Sequence, residues 1–425
     1  MIEIKNKENC TGCGACLNIC VKQCIRMDSD NEGFLYPKID ADKCIQCGLC
    51  DRVCPVIHCK NEKLISEPDA YIAWSNNKKY LDESTSGGIF ASIAAMMLKK
   101  NGIVYGAAYD ENNVVEHIEI SNLQELNRLN RSKYVQSDTK KTYQSVANHL
   151  KNEKNVLYSG TACQIYGLLS YLKLKNINKD NLITMDVICH GTPSPKLLHE
   201  YIKWQESDKK AKVISVAMRE KRHPKEYFSV SATKVDFEDG RYSELDAGVD
   251  YYGRFFWGEI SSRPACYNCQ FKTIGRISDL TIGDCWFSRA ITGRKDVPFD
   301  VTLCLAHTEK GKNILKCSES GVTAVAVDLQ KAVKCNGGMI YKSAVPHAKR
   351  DEFFSELGKI PLDELAMKYF PDSPTKKRDV VYKVKELVKK LPGIYENYYF
   401  NTKEKEFENR CKRVIPQEAY TKKYI

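Results

Sequence analysis

The chain reads as a small α+β module followed by an α/β domain, with a helical C-terminal tail. Three observations predict this. Ten of its 19 cysteines fall within the first 59 residues. Strand-like and helix-like runs alternate from Asp69 to about Val345. Beyond that the chain is Lys-rich and Tyr-rich with helical spacing, broken by Pro371, Pro374 and Pro392.

The divisions follow from composition. Residues 1–60 form the cysteine-rich module, and the polar stretch Lys60 to Pro68 reads as a linker. The α/β region divides into 69–150 and 151–345, and 346–425 is a basic helical tail. Apolar residues make up 43% and charged residues 28% of 425, an ordinary globular balance. No run is long and apolar enough to span a bilayer. The start, Met1-Ile2-Glu3-Ile4-Lys5, has no apolar core of a secretory signal, so a cytoplasmic location is expected. In such a chain cysteines are kept reduced, which favours metal or catalysis over disulfides. The net charge of +11 is concentrated near the C-terminus. Acidic residues interleave with the basic ones there, as on a solvated helix, although docking to an acidic partner would also fit. No nucleic-acid partner is expected.

One internal repeat dominates the first module. Cys10, Cys13, Cys16 and Cys20 recur as Cys44, Cys47, Cys50 and Cys54, each offset by 34 residues. Each quartet has the spacing C-x2-C-x2-C-x3-C. Three thiolates at this pitch can wrap one face of an iron–sulfur cube, and the fourth reaches the other cube. The expected sets are Cys10, Cys13, Cys16 and Cys54 for cluster one, and Cys44, Cys47, Cys50 and Cys20 for cluster two. Gly12, Gly14 and Gly48 suit the tight ligand loops. Structural zinc is the alternative, but it usually takes two separated pairs of ligands. Pro55 follows Cys54, whereas Val21 follows Cys20, so a less rigid chain is expected there. Cys24 and Cys59 are expected to be plain small residues. Two adjacent 4Fe–4S clusters make a wire for single electrons.

The α/β region adds further thiols. Asn155 to Ser159 reads as a strand, Gly160 to Cys163 as a turn and Gln164 to Lys173 as a helix. Leu182 to Ile188 is a second strand ending at Cys189-His190-Gly191. This βαβ unit places Cys163 and Cys189 at the carboxyl ends of parallel strands, where open α/β sheets bind ligands. Cys266 and Cys269 supply a C-x2-C pair. A third 4Fe–4S cluster on Cys163, Cys189, Cys266 and Cys269 is one reading. The other is a pair that binds zinc or nothing, with Cys163 and Cys189 as small buried residues. Cys285, Cys304, Cys317, Cys335 and Cys411 are expected in core or surface positions.

Ser86-Gly87-Gly88 precedes a helix predicted over Ile89 to Lys99, with an apolar face of Ile89, Phe90, Ile93, Met96 and Met97. Its N-terminus could hold an anion or be an ordinary capped end. Lys133 could add a cation there. No dinucleotide-binding glycine motif or phosphate-binding loop is present.

Ser86-Gly87-Gly88, Gly160-Thr161-Ala162-Cys163-Gln164, Cys189 to Ser194, Arg263 to Cys269 and Ser278 to Asp284 occur in that order. Together they resemble the coenzyme F-420 hydrogenase/dehydrogenase beta-subunit family over roughly residues 69–345, behind a bacterial-type two-cluster ferredoxin domain. Proline usually stands where this chain has Ala162. The resemblance implies FAD beside the third cluster, with Ser86, Gly87, Gly88 and Lys133 as flavin contacts. The expectation is a flavin-dependent iron–sulfur oxidoreductase, fed by a ferredoxin or other redox protein, acting on an organic substrate. His190 and Asp284 are candidate proton donors, with structural hydrogen bonding as the alternative for both. Two other functions remain open: an electron-transfer subunit docked on a hydrogenase or dehydrogenase partner, and an accessory protein of surface-polysaccharide biosynthesis.

Overall fold

The computed structural model describes residues 2–58, 67–221, 231–246, 248–294, 296–298, 300–334, 338–371 and 409. The linker from Lys60 to Ser66, Cys59, Cys335, Cys411 and the tail beyond Pro371, Asn409 apart, lie outside the described residues.

The N-terminal module is a pseudo-twofold α+β unit. Strands β1 (Ile25–Ser29) and β2 (Leu35–Ile39) form an antiparallel hairpin. Two short helices, Ala15–Ile19 and Leu49–Val53, stand at equivalent places in the repeat. Each is preceded by a glycine in the left-handed region, Gly14 at φ 75° and Gly48 at φ 71°. Glycine adopts that conformation without a Cβ clash, so both ligand loops close tightly.

Among the described residues, eleven strands of the larger part follow, beginning with β3 (Asp69–Ser75), β4 (Ile103–Tyr109), β5 (Val115–Ile120), β6 (Val156–Thr161), β7 (Leu182–Val187), β8 (Val213–Lys221), β9 (Ser231–Phe237), β10 (Tyr242–Asp246), β11 (Leu280–Asp284) and β12 (Thr302–Ala306). The last is β13 (Val322–Val327). Eight of them make one mixed sheet in the order β13-β3-β12-β11-β7-β6-β4-β5. Its centre, β4-β6-β7-β11, is parallel, and both flanks are antiparallel. The sheet draws strands from both 69–150 and 151–345. Parallel strands bury both faces, and β6 and β7 accordingly place Val156, Leu157, Tyr158 and Met185 in the core. A second sheet, β8-β9-β10, is antiparallel. The predicted helix Ile89–Lys99 forms with those limits, and the helix after β6 runs Ala162–Leu174. Ala162 is its first residue, a position that suits proline and alanine alike, which explains why the departure there is harmless. Among the described residues, no helix is long and apolar enough to cross a membrane.

Two histidines are buried without charge. Burial pushes His117 down to about 4, against a raising contribution from its bond with the Ser159 carbonyl oxygen, and pushes His307 down to about 3. Both pKa values are depressed on folding, so neither affects stability while both states are neutral. Below pH ~6.5 the unfolded chain takes up the protons first, and stability falls as pH drops toward the folded values. The loss is on the order of 3 kcal/mol per histidine once the folded pKa is reached. Urea midpoints measured between pH 7.5 and 5 should therefore fall, and the slope should flatten in His117→Gln.

Candidate metal centres and the adjoining cavity

The thiols of the N-terminal module line two separate voids. One is walled by Cys10, Cys13, Cys16 and Cys54, together with Ile2, Met27 and Val56. The other is walled by Cys20, Cys24, Cys44, Cys47 and Cys50. Among the described residues, no three His, Cys, Asp or Glu side chains converge to grip a single metal ion. The sulfurs stand around each void instead, as four ligands of a cube would. The sequence reads Cys24 as a plain small residue, but it borders the second void. Its Sγ lies 3.4 Å from that of Cys20.

The two voids differ in surroundings. Cys13, Cys16 and Cys54 are buried, and burial first of all pushes the Cys13 thiol up to about 12. Such thiols give up protons only in exchange for metal, so loading and deprotonation are coupled. The second void has more exposed neighbours, with Cys47 exposed and Val21 and Ile45 more than half exposed beside it.

The inner quartet is locked onto the sheet domain. Thr139 Oγ1 donates to the Cys13 carbonyl at 3.0 Å, and the Tyr143 hydroxyl lies 2.7 Å from the same oxygen and 2.9 Å from that of Gln164. Gly167 faces Cys13 directly. A Cβ there would lie 3.1 Å from both Cys13 Sγ and Tyr143 Oη. Gly167→Val is thus expected to cost about 1–3 kcal/mol by overpacking and to lower the iron retained by the inner quartet. Urea unfolding and iron analysis of the anaerobic protein would check this.

A single cavity of about 320 Å³ lies beyond Gly167, at the carboxyl ends of β6, β7 and β11. That volume lies at the lower end of the range for small-molecule sites, roughly 300–1,000 Å³. Cys163, Cys189, Cys266 and Cys269 all line it. Topology explains the convergence. Cys163 lies in the first turn of the helix after β6, Cys189 follows β7, and the short helix Pro264–Tyr267 brings in the pair. Burial pushes up the thiols of Cys163, Cys189 and Cys269, and each is raised further by a neighbour in the set. Lys272, also buried, lies within electrostatic reach of Cys189, Cys269 and Cys266. Burial lowers its pKa, and the thiolates would oppose that by favouring the ammonium. No local sequence pattern singles this cation out.

The same cavity reaches the start of the helix Ile89–Lys99. Ser86 and Gly88 line it, as do Lys133, His190 and Asp284. Gly87 does not. A Cβ at Gly87 would lie 2.6 Å from the Ala73 carbonyl oxygen, and its N–H donates to Thr302 Oγ1 at 2.9 Å. It is therefore a packing glycine between the helix start and the sheet. Lys133 Nζ is held by the carbonyl oxygens of Asn130 (2.7 Å) and Arg128 (3.1 Å). Burial, then the nearby Arg131, pushes it down to about 7. Asp284 accepts from Arg219 Nη1 at 2.5 Å, and Arg219 also donates to the Tyr134 hydroxyl at 3.1 Å. His190 Nε2 is paired with Glu259, a residue to which the sequence alone does not point, and the imidazole packs on Phe256 and Trp257.

Three residues that line the cavity, Asn130, Gln136 and His190, each carry a buried polar atom without a partner among the described residues: Asn130 Oδ1, Gln136 Nε2 and His190 Nδ1. Buried polar groups are rarely left unpaired, and three among the lining residues fit a polar ligand.

Residues 153–329 match the family model that describes the C terminus of the coenzyme F420 hydrogenase/dehydrogenase beta subunit. Two models described as 4Fe–4S dicluster domain match residues 9–57 and 40–103. Among solved structures, a chain from the F420-reducing NiFe hydrogenase complex of Methanosarcina barkeri, studied by xenon derivatization, is similar at 15% identity. That match covers 62% of this chain and 83% of the other, with a TM-score of 0.41, a level that carries no functional argument. No curated protein matches. The chain is an iron–sulfur electron-transfer protein whose residues 153–329 match the C-terminal domain described for the coenzyme F420 hydrogenase/dehydrogenase beta subunit, with 4Fe–4S dicluster sequence ahead of that part.

Proposed function

We propose that the protein is an iron–sulfur flavoprotein oxidoreductase. It passes electrons between a one-electron carrier, such as a ferredoxin, and an organic substrate in the cavity. The observation that carries this reading is that Cys163, Cys189, Cys266 and Cys269 share one cavity with Ser86 and Gly88 of the helix start and with Asn130, Gln136 and His190, each of which carries an unpartnered buried polar atom. A bare electron relay has no use for such a wall. When bound, clusters handle single electrons and a flavin handles pairs, which together connect one-electron carriers to two-electron chemistry.

The chain's own residues supply the order. The outer set, Cys20, Cys44, Cys47 and Cys50, faces a carrier through exposed Val21 and Ile45. The inner set, Cys10, Cys13, Cys16 and Cys54, lies between it and the third set, Cys163, Cys189, Cys266 and Cys269. Ser86, Gly88 and the polar wall would hold FAD, with Lys133 bracing the loop beneath it. His190 and Asp284 border the substrate space.

The second reading is a subunit that hands electrons to a hydrogenase or dehydrogenase partner. The same exposed apolar residues favour it, since such patches mark protein contacts. Anaerobic purification separates the two. Roughly twelve irons per chain with one flavin support the oxidoreductase. Roughly eight irons without flavin leave only the relay.

A further inference from the structure

The two voids of the N-terminal module are unequal. The inner one is lined by four cysteine thiols and the outer one by five, the fifth being Cys24. A cube takes four.

The asymmetry arises where the repeat breaks. At the 34-residue offset, the counterpart of Cys24 is His58. In the second half Pro55 starts the helix Pro55–His58, and His58 ends on the surface. In the first half Val21 replaces that proline and the chain turns instead. The Gln23 N–H donates to the Cys20 carbonyl at 3.1 Å, and Gln23 takes φ 50°. The turn brings Cys24 back to Cys20, Sγ to Sγ at 3.4 Å, and within electrostatic reach of Cys44. Cys24 is fixed there, because its carbonyl accepts from the Asp40 N–H at 2.8 Å at the base of the hairpin. It is only 6% exposed.

We propose that Cys24 is a standby ligand of the outer cluster, interchangeable with Cys20. The inference rests on the cluster reading of the outer set. In the exchange the iron–sulfur bond to Cys20 breaks and one to Cys24 forms, while the Cys24 thiol proton passes to the Cys20 sulfur. Thiolates, protons and electrons are conserved, and no co-reactant is needed. The spare thiol sits where it is useful. The outer set includes exposed Cys47, so it is the set that oxidants reach, and thiolate oxidation removes ligands.

The test uses the full chain, purified anaerobically, with iron analysis and electron paramagnetic resonance after dithionite reduction. Cys47→Ala, which has no understudy, is expected to lose roughly four irons per chain. Cys20→Ala and Cys24→Ala are each expected to keep the parental iron, Cys20→Ala with an altered resonance line shape. The double variant is expected to lose as much as Cys47→Ala. A Cys20→Ala protein as depleted as the double variant overturns the proposal. Unchanged iron in Cys47→Ala overturns the cluster reading and this proposal with it. Cys24→Ala retains every ligand of the resting cluster and gives a second measurement. Its outer cluster should bleach several-fold faster in air than the parent's, and equal rates overturn the proposal.

Discussion

Cys266→Ser is expected to remove about four of roughly twelve irons per chain and to disconnect the cavity from the inner cluster. Serine offers a hard oxygen in place of the soft thiolate that iron–sulfur clusters require. Cys266 is the informative member of its set. Cys163 lies in the first turn of the helix that packs Gly167 against Cys13, so its loss would disturb the inner quartet too. Cys266 lies on the short helix Pro264–Tyr267, with Thr192 Oγ1 3.5 Å from its sulfur. The resonance signals of the two N-terminal clusters should survive. Flavin reduction by a reduced ferredoxin should drop to background, although dithionite still reduces both N-terminal clusters. Unchanged iron would mean that the Cys266–Cys269 pair is not a ligand, and the third set would be withdrawn.

Much of this arrangement is readable from spacing. The quartets are legible because cluster ligands obey a short-range rule, three thiols on one loop and one beyond it. The βαβ unit is legible because the β6 and β7 segments each begin with an apolar run and bracket an amphipathic helix. Its register then places Cys163 and Cys189 at one sheet edge. Less is legible where partners come from far along the chain. Glu259 meets His190 across 69 residues and Arg219 meets Asp284 across 65. No local pattern announces such pairs. Gly87 looks like a ligand contact because it sits in a glycine-rich helix start, yet the Ala73 carbonyl beneath it sets its identity. The place of Cys24 beside the second void escapes the sequence for a related reason. The Val21 departure is visible, but its consequence depends on the turn that replaces a helix.

The other large effect is expected at Arg263, which the sequence presents only as part of a motif. Its side chain is fully buried, yet it ties three regions together. Nε donates to the Cys10 carbonyl at 2.7 Å, Nη2 to the Leu35 carbonyl at 3.0 Å, and Nη1 to Gln136 Oε1 at 3.2 Å. The guanidinium also lies over the Tyr36 ring, 4.0 Å from its centroid. Arg263→Met keeps much of the volume and loses every donor. The abandoned carbonyl oxygens remain buried, so the cost is expected at about 3–5 kcal/mol, read as a lower urea midpoint of the anaerobic protein. Arg263→Lys keeps the charge but not the planar fork, and should recover only part of that loss. A second readout separates packing from redox tuning. Nη2 also approaches Cys10 Sγ at 3.5 Å, and hydrogen bonds and positive charge near cluster sulfur favour the reduced, more negative state. The inner cluster's potential should therefore fall in Arg263→Met and be partly restored in Arg263→Lys. A purely structural role would lower stability without that ordering of potentials. Arg263 stands three residues before Cys266, so one loop would both position the third set and set the potential of the cluster that feeds it.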